Sequence, residues 1–221
     1  IKKVMQILKE DFAGFDAQLI IMDVVPWMLP YYEASGIQFE IEDNRDYMDY
    51  TFTPEQFLAG MDMQDDRYRY NYFKRRFAYE TEEITPFHRE EIREFMEREW
   101  CGEKTCEECH CGCLLRVIDN LVPVFDKIRI NGILVRVEGK MAGLCIVSCR
   151  NGLGVYQYKN AVNRIKGINE YLLRESFERY LQSADTINYT EDMGVENLRY
   201  YKEHMAPAHT LLSKLTLTER G

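Results

Sequence analysis

No stretch of this sequence approaches the roughly 20 consecutive apolar residues that a membrane-crossing helix needs. No leader with a basic start, an apolar middle and a small-residue cleavage site opens it either. Proline is sparse at six residues, and tryptophan sparser at two. An excess of positive charge is also missing, because 28 Lys and Arg face 37 Asp and Glu for a net charge of −9. That balance excludes a protein that coats DNA or an anionic membrane through its overall field, although one local basic site stays open. There is no nucleophile elbow, and His204 and His209 flank Pro207 without an obvious Ser or Cys partner, so covalent catalysis is not expected. No internal repeat stands out. The seven cysteines are an odd number with no export signal beside them, which reads as reduced thiols or metal ligands and makes the cytoplasm the default address.

What is present is an ordinary globular composition, 46% hydrophobic and 29% charged over 221 residues. The sequence begins at Ile1 rather than Met, so an upstream segment is expected. Val4, Ile7 and Leu8 recur at helical spacing, and Gln18 to Met22 reads as a short strand. Ile37 to Ile41 alternates like a half-buried strand, Asp43-Asn44-Arg45-Asp46 reads as a turn, and Tyr50-Thr51-Phe52 extends again. These first 50 residues are too few for a core of their own.

Thr53-Pro54-Glu55-Gln56 is a capping box with proline at the first helical position. Thr85-Pro86 opens another helix, with Ile92, Phe95 and Met96 on one face. A third helical stripe, from Leu114 to Phe125, should be bent or shortened by Pro123. The period then changes to two. Strands are expected at 132–137, 141–147, 155–162, 186–189 and 211–217, with helices after Gly167 and over 195–204. Hairpin, strand, helix, strand, helix, strand describes an α+β fold, a mixed sheet with helices packed on it.

Four groups of residues carry chemistry. Glu191 and Asp192 end a strand, and Arg199 and Lys202, three apart on the next helix, can converge on one anion. The carboxylates would handle a proton and the cations a phosphate or carboxylate, or the four simply fix the helix to the sheet. Arg67, Arg69, Lys74, Arg75 and Arg76 are interleaved with Tyr68, Tyr70, Tyr72 and Phe73. This is either an RNA-holding combination of cations and stacking rings or an amphipathic segment with a solvated basic face. Cys101, Cys106, Cys109, Cys111 and Cys113, with His110, contain half of a zinc knuckle. A second well-spaced pair is missing, so no metal site is assigned, and reducible loop thiols are the other reading. Strict alternation puts Tyr156 and Tyr158 on one strand face, lining an acceptor cleft or packing under a helix.

The turn Arg164-Ile165-Lys166-Gly167-Ile168-Asn169 resembles the Gln/Arg-x-x-Gly-x-Gly/Ala turn of the GNAT acyltransferases, with Asn169 in place of the final small residue. That resemblance implies a GNAT-like sheet in which Arg164, Lys166, Gly167 and Ile168 bind the phosphates of a coenzyme A donor. The whole chain is similar to the family typified by the C-terminal catalytic domain of phosphatidylglycerol lysyltransferases. The similarity is carried by Phe39 to Tyr50, by Arg67, Asn71, Phe73 and Lys74, and by Tyr189 to Gly194 with Leu198 to Glu203 and Pro207. It implies that residues 1–50 are the end of a first GNAT-like unit. Residues 51–221 would then form a second one, with its core sheet over 128–221. It also implies an acyl- or aminoacyl-transferase using acyl-CoA or aminoacyl-tRNA. Glu191, Asp192, Arg199 and Lys202 would act in catalysis, and Arg67, Asn71, Lys74, Tyr156 and Tyr158 would bind substrate. A non-catalytic scaffold that keeps the fold without a donor site is the alternative.

Overall fold

Two type I′-like turns, Glu138-Gly139 and Asn151-Gly152, have both central residues at positive φ and set three neighbouring strands in register. The computed structural model describes residues 2–12, 20–36, 38–101, 114–205 and 208–217. Its order is α1 (Lys2–Phe12), β1 (Ile20–Val24), α2 (Leu29–Glu33), β2 (Phe39–Phe52), α3 (Pro54–Met61), α4 (Gln64–Arg76), β3 (Tyr79–Glu83) and α5 (Arg89–Met96). Then follow α6 (Leu114–Leu121), β4 (Ile130–Val137), β5 (Lys140–Arg150), β6 (Leu153–Ala161), α7 (Ile168–Ser176), β7 (Thr186–Asn188), α8 (Glu196–Met205) and β8 (Ala208–Leu217). The chain divides into two compact units, 1–51 with 190–221, and 52–189.

The inner unit, 52–189, is built on strands in the order β7-β6-β5-β4-β3. All neighbours are antiparallel except β6 and β7, which are parallel. Met141 to Val147 of β5 is buried without a break, as expected of a central strand covered on both faces. Helix α7 packs on β4, β5 and β6 and continues as a π-turn over Phe177–Leu181. The Phe57 ring, fully buried, lies within 6 Å of the ring centroids of Phe52, Tyr156, Phe177 and Tyr189.

The capping box at Thr53 forms as expected. The Gln56 amide donates to Thr53 Oγ1 at 3.3 Å, and the Thr53 amide donates to Gln56 Oε1 at 2.9 Å. Thr53→Ala removes one cap and should lower stability by about 1 kcal/mol. That corresponds to a fall of roughly 3 °C in Tm for a chain of this size, readable by calorimetry. The helix over 114–121 gives way at Val122–Val124 to a 3-10 turn, because Pro123 cannot supply the next helical amide.

The outer unit differs from its sequence reading in two ways. β2 does not turn at Asp43–Asp46 but runs through, and its pairing with β8 is irregular between Asn44 and Asp49. Over that interval β2 advances from Asn44 to Asp49 while β8 advances only from Leu212 to Thr210, so the polar residues are extra strand residues in a bulge. Secondly, β8 is the middle strand of the order β1-β8-β2, antiparallel to both, so 190–221 belongs with the N-terminal residues. Local pattern marks 211–217 as a strand but cannot name its partners. The edge strand β3 also went unread, because only Tyr79 and Thr81 of Tyr79–Glu83 are even half-buried.

Candidate functional site

The candidate residues fall into two groups, one in each unit. In the outer unit, Asp192 is completely buried and its carboxylate accepts five hydrogen bonds. Oδ2 receives Tyr50 Oη at 2.5 Å, Arg45 Nη1 at 3.0 Å and Arg199 Nε at 3.2 Å. Oδ1 receives the Gly194 amide at 2.9 Å and Arg199 Nη2 at 3.2 Å. Burial alone would raise this carboxyl's pKa. The bonds from Arg199, Tyr50, Arg45 and Gly194 outweigh it and hold the group well below the usual carboxylate range. A carboxylate so stabilised as an anion is a poor proton acceptor, and its chemistry here is to orient two arginines. Arg199 also reaches Asp46 at 2.7 Å, and Arg45 reaches Glu203 at 2.6 Å.

Lys202 does not join Arg199 on one anion. Its buried ammonium donates to the backbone carbonyls of Glu191 at 2.6 Å and Thr190 at 3.2 Å. Thr190 and Met193 both sit at positive φ, so Lys202 and Asp192 hold a backbone that would not rest there alone. The bulge of β2 supplies the part the sequence reading missed. It carries Arg45 and Asp46 into this network, with Tyr50 from the same strand. Read as a turn, Arg45 and Asp46 gave no sign of pairing with residues near 192 and 199.

In the inner unit, β7 pairs with β6 only at Leu153, Gly154 and Val155, while β6 continues to Ala161. All three residues of β7 are paired, so from Tyr156 onward β6 runs on past the end of β7 while keeping β5 on its other side. Along the same stretch the β5 register slips, pairing Ile146 with Tyr158 and Val147 with Tyr156 so that Gln157 is extra. This bulge overturns the expected alternation, because Tyr156 and Tyr158 then face opposite sides of the sheet. Tyr156 is buried under α7, donating to the Leu173 carbonyl at 2.8 Å. Lys159 lies on that same face, and its Nζ donates to Asn169 Oδ1 at 3.0 Å. Burial lowers the lysine's pKa, against the opposing charges of Cys145, Glu170 and Asp66. Asn169, the departure from the GNAT turn pattern, therefore has a local task, which is to accept a bond from Lys159. Cys145 faces the same side, buried, its thiol pushed up to about 11 by burial, whereas Cys149 is half-buried.

Lys159 and Asn169 bring the start of α7 beside the part of β6 that extends past β7. Gly167, the N-cap, has φ +88 and is buried against the Arg69 carbonyl of α4. The first amides of any helix lack partners inside it, although here the Ile168 amide already turns back to the Ile165 carbonyl at 3.4 Å. Ile168 itself is buried. Arg164 is exposed and 3.7 Å from Glu99. Lys166 is exposed and its Nζ stands over the rings of Tyr68 and Tyr72, 4.9 and 5.2 Å from their centroids. Arg69 bridges to Glu170 at 3.2 Å.

On α4, Arg67 is exposed and Asn71 half-buried, its carbonyl accepting from Arg75 Nε at 3.2 Å. Lys74 bonds Tyr70 Oη at 3.1 Å and covers that ring. Tyr70 and Phe73 turn inward on Tyr171. The basic, aromatic segment is thus an amphipathic helix whose outer side keeps its charges in water. Cys106, Cys109, Cys111, Cys113 and His110 lie outside the described residues. Among the described residues, no helix is long and apolar enough to cross a membrane.

Residues 1–213 match the family model described as phosphatidylglycerol lysyltransferase, C-terminal. The chain belongs to that family. A conserved protein of unknown function from Bacteroides thetaiotaomicron shares 24% identity with a TM-score of 0.80, over 99% of this chain and 75% of that one. L-PGS from Bacillus licheniformis is similar at 14% identity and a TM-score of 0.69, over 100% and 74%. A tandem GNAT protein from the clavulanic acid biosynthesis pathway gives 11% and 0.55, over 100% and 70%. No curated protein matches the sequence. As a phosphatidylglycerol lysyltransferase C-terminal family member, the chain has a GNAT-like mixed sheet flanked by helices. The matched residues include the whole of the Asp192 network described above.

Proposed function

We propose that the chain is an acyl- or aminoacyl-transferase whose donor lies along the stretch of β6 that runs on past the end of β7. The observation that carries the proposal is that this stretch lies beside the N-terminal end of α7, linked to it by the Lys159–Asn169 bond. Open parallel strands bind ligands where their carboxyl ends meet helix N-termini, and donor phosphates suit such ends. Family membership supports the transferase class. The tandem GNAT likeness supports a coenzyme A donor, and the L-PGS likeness an aminoacyl one.

The transfer needs a nucleophile placed on an ester or thioester carbonyl and one group to take its proton, so positioning accounts for most of the rate. Arg164, Lys166 and Gly167 would hold the donor's phosphate, with Arg67, Asn71 and Lys74 of α4 and Tyr158 as further substrate contacts. Tyr156 supports α7 from below. Within the outer unit by itself, Asp192, Arg199 and Lys202 act as positioning groups, and Glu191 is the candidate proton acceptor.

The test is thermal denaturation with saturating acetyl-CoA and, separately, with lysyl-tRNA. A donor at 100 times its Kd adds about 2.7 kcal/mol, raising Tm by several degrees. Reversing the charges with Arg164→Glu and Lys166→Glu should remove the shift while leaving the Tm of the free protein within about 2 °C, since both side chains are exposed. No shift with either donor, and no transfer of a labelled acyl group, would leave only the scaffold alternative.

A further inference from the structure

Beside α7, two tyrosines of α4 and a lysine of the preceding turn form one partly exposed arrangement. Tyr68 and Tyr72 are one helical turn apart on α4, so their rings share a face, with centroids 6.2 Å apart and planes at 41°. Tyr68 is 52% exposed. Lys166 enters from the turn before α7 and rests its ammonium on both rings, an exchangeable contact at an exposed site. The frame around it is rigid, because Gly167 is packed against the Arg69 backbone and Arg69 is bridged to Glu170. Arg164, with 75% of its side chain exposed, comes from the same turn, and Arg67 is exposed one residue before Tyr68. Glu99, Glu170, Asp65 and Asp66 are the nearby acids. Of these Glu170 is bridged to Arg69, and Glu99 lies close to Arg164.

Rings that offer a face, edged by mobile cations, suit a nucleotide, whose base stacks while its phosphate takes the ammonium. Every base has such a face, so the rings alone do not choose among them. The choice comes from the donor, and this step rests on the function proposed above. Coenzyme A and the 3′ end of tRNA both terminate in adenosine bearing phosphate. We propose that Tyr68 and Tyr72, with Lys166 and Arg164, hold the adenosine-phosphate end of the donor. Lys166 leaves the rings for the phosphate as the base arrives.

The experiment compares the whole chain with its Tyr68→Ala and Lys166→Ala variants. The probes are coenzyme A by calorimetry, and two fluorescent RNA minihelices by anisotropy, one ending in CCA and one lacking the terminal A. Tyr68→Ala should weaken the preferred probe about tenfold, as loss of one stacked base does. Lys166→Ala should weaken it and reduce the slope of log affinity against log salt for the RNA by about one. Deleting the terminal A should weaken binding to the wild type but not to Tyr68→Ala. Sensitivity confined to coenzyme A, or to the CCA RNA, supports the cradle and names its source. If the wild type binds a probe and both variants match it, the cradle is wrong and the transferase proposal survives. If the wild type binds none of the probes, both fail.

Discussion

Gly167→Ala is expected to lower the melting temperature by roughly 10 °C and, if a donor binds as proposed, to abolish the stabilisation it gives. Gly167 has φ +88, a region in which alanine costs about 1–2 kcal/mol. Strain is the smaller part. A Cβ at this position would fall 2.8 Å from the Arg69 carbonyl carbon and 3.0 Å from Phe73 Cβ, and nearer still to the Arg69 carbonyl oxygen. These are main-chain atoms and the root of a buried ring, so no flexible tip can swing aside. Either α4 or the turn must shift, which brings the total to about 4 kcal/mol, in the range of overpacked cores. Gly139 supplies the control. It also has positive φ, at +75, but a Cβ there meets nothing within 4 Å. Gly139→Ala should therefore show the backbone cost alone, about 1 kcal/mol. Equal losses for the two variants, by differential scanning calorimetry, would refute the close packing of the turn on α4.

Asp192→Asn should cost about 3 kcal/mol at neutral pH, because it leaves Arg45 and Arg199 facing a neutral amide and disturbs the bond to Tyr50 in a buried place. The figure is set below that for fully buried pairs because both arginines are partly exposed. The loss should depend on pH in a defined direction. The folded-state pKa of Asp192 lies below its unfolded value of about 3.9. Its contribution is therefore fully present above the unfolded value and fades as pH falls towards the folded one. Urea denaturation of wild type and variant should show a constant gap from about pH 5.5 to 8, narrowing steadily below about pH 4. A gap as wide at pH 3 as at pH 7 would rule out the carboxylate as its source.

How much of this was legible in the sequence depends on whether a signal is local. The capping box at Thr53 and the break at Pro123 are written in adjacent residues, and they form as read. The segment Asp43 to Asp46 misled because four turn-forming residues in a row satisfy a turn rule. Their actual support is the Asp192 network, reached across 147 residues by Arg45. Gln157 misled more quietly. One extra residue in β6 is invisible to a period-two pattern, yet it sends Tyr158 to the other face and brings Lys159 under α7. Arg199 was rightly placed near Asp192 by its position on the following helix, but the divergence of Lys202 onto main-chain carbonyls could not be seen without coordinates.

The middle strand of the outer unit is made from residues 208–217, and its neighbours on either side from 20–24 and 39–52. On the ribosome, β1 and β2 therefore emerge without the strand that joins them, and they wait while the whole of 52–189 is synthesised. That wait leaves hydrogen-bonding edges open in the nascent chain. The inner unit shortens the search when β8 arrives. Phe52 at its beginning and Tyr189 at its end both meet the Phe57 ring, so once folded it brings its two ends together. The final strand then closes a short gap and not a long loop, and loop closure adds little entropy cost at that step.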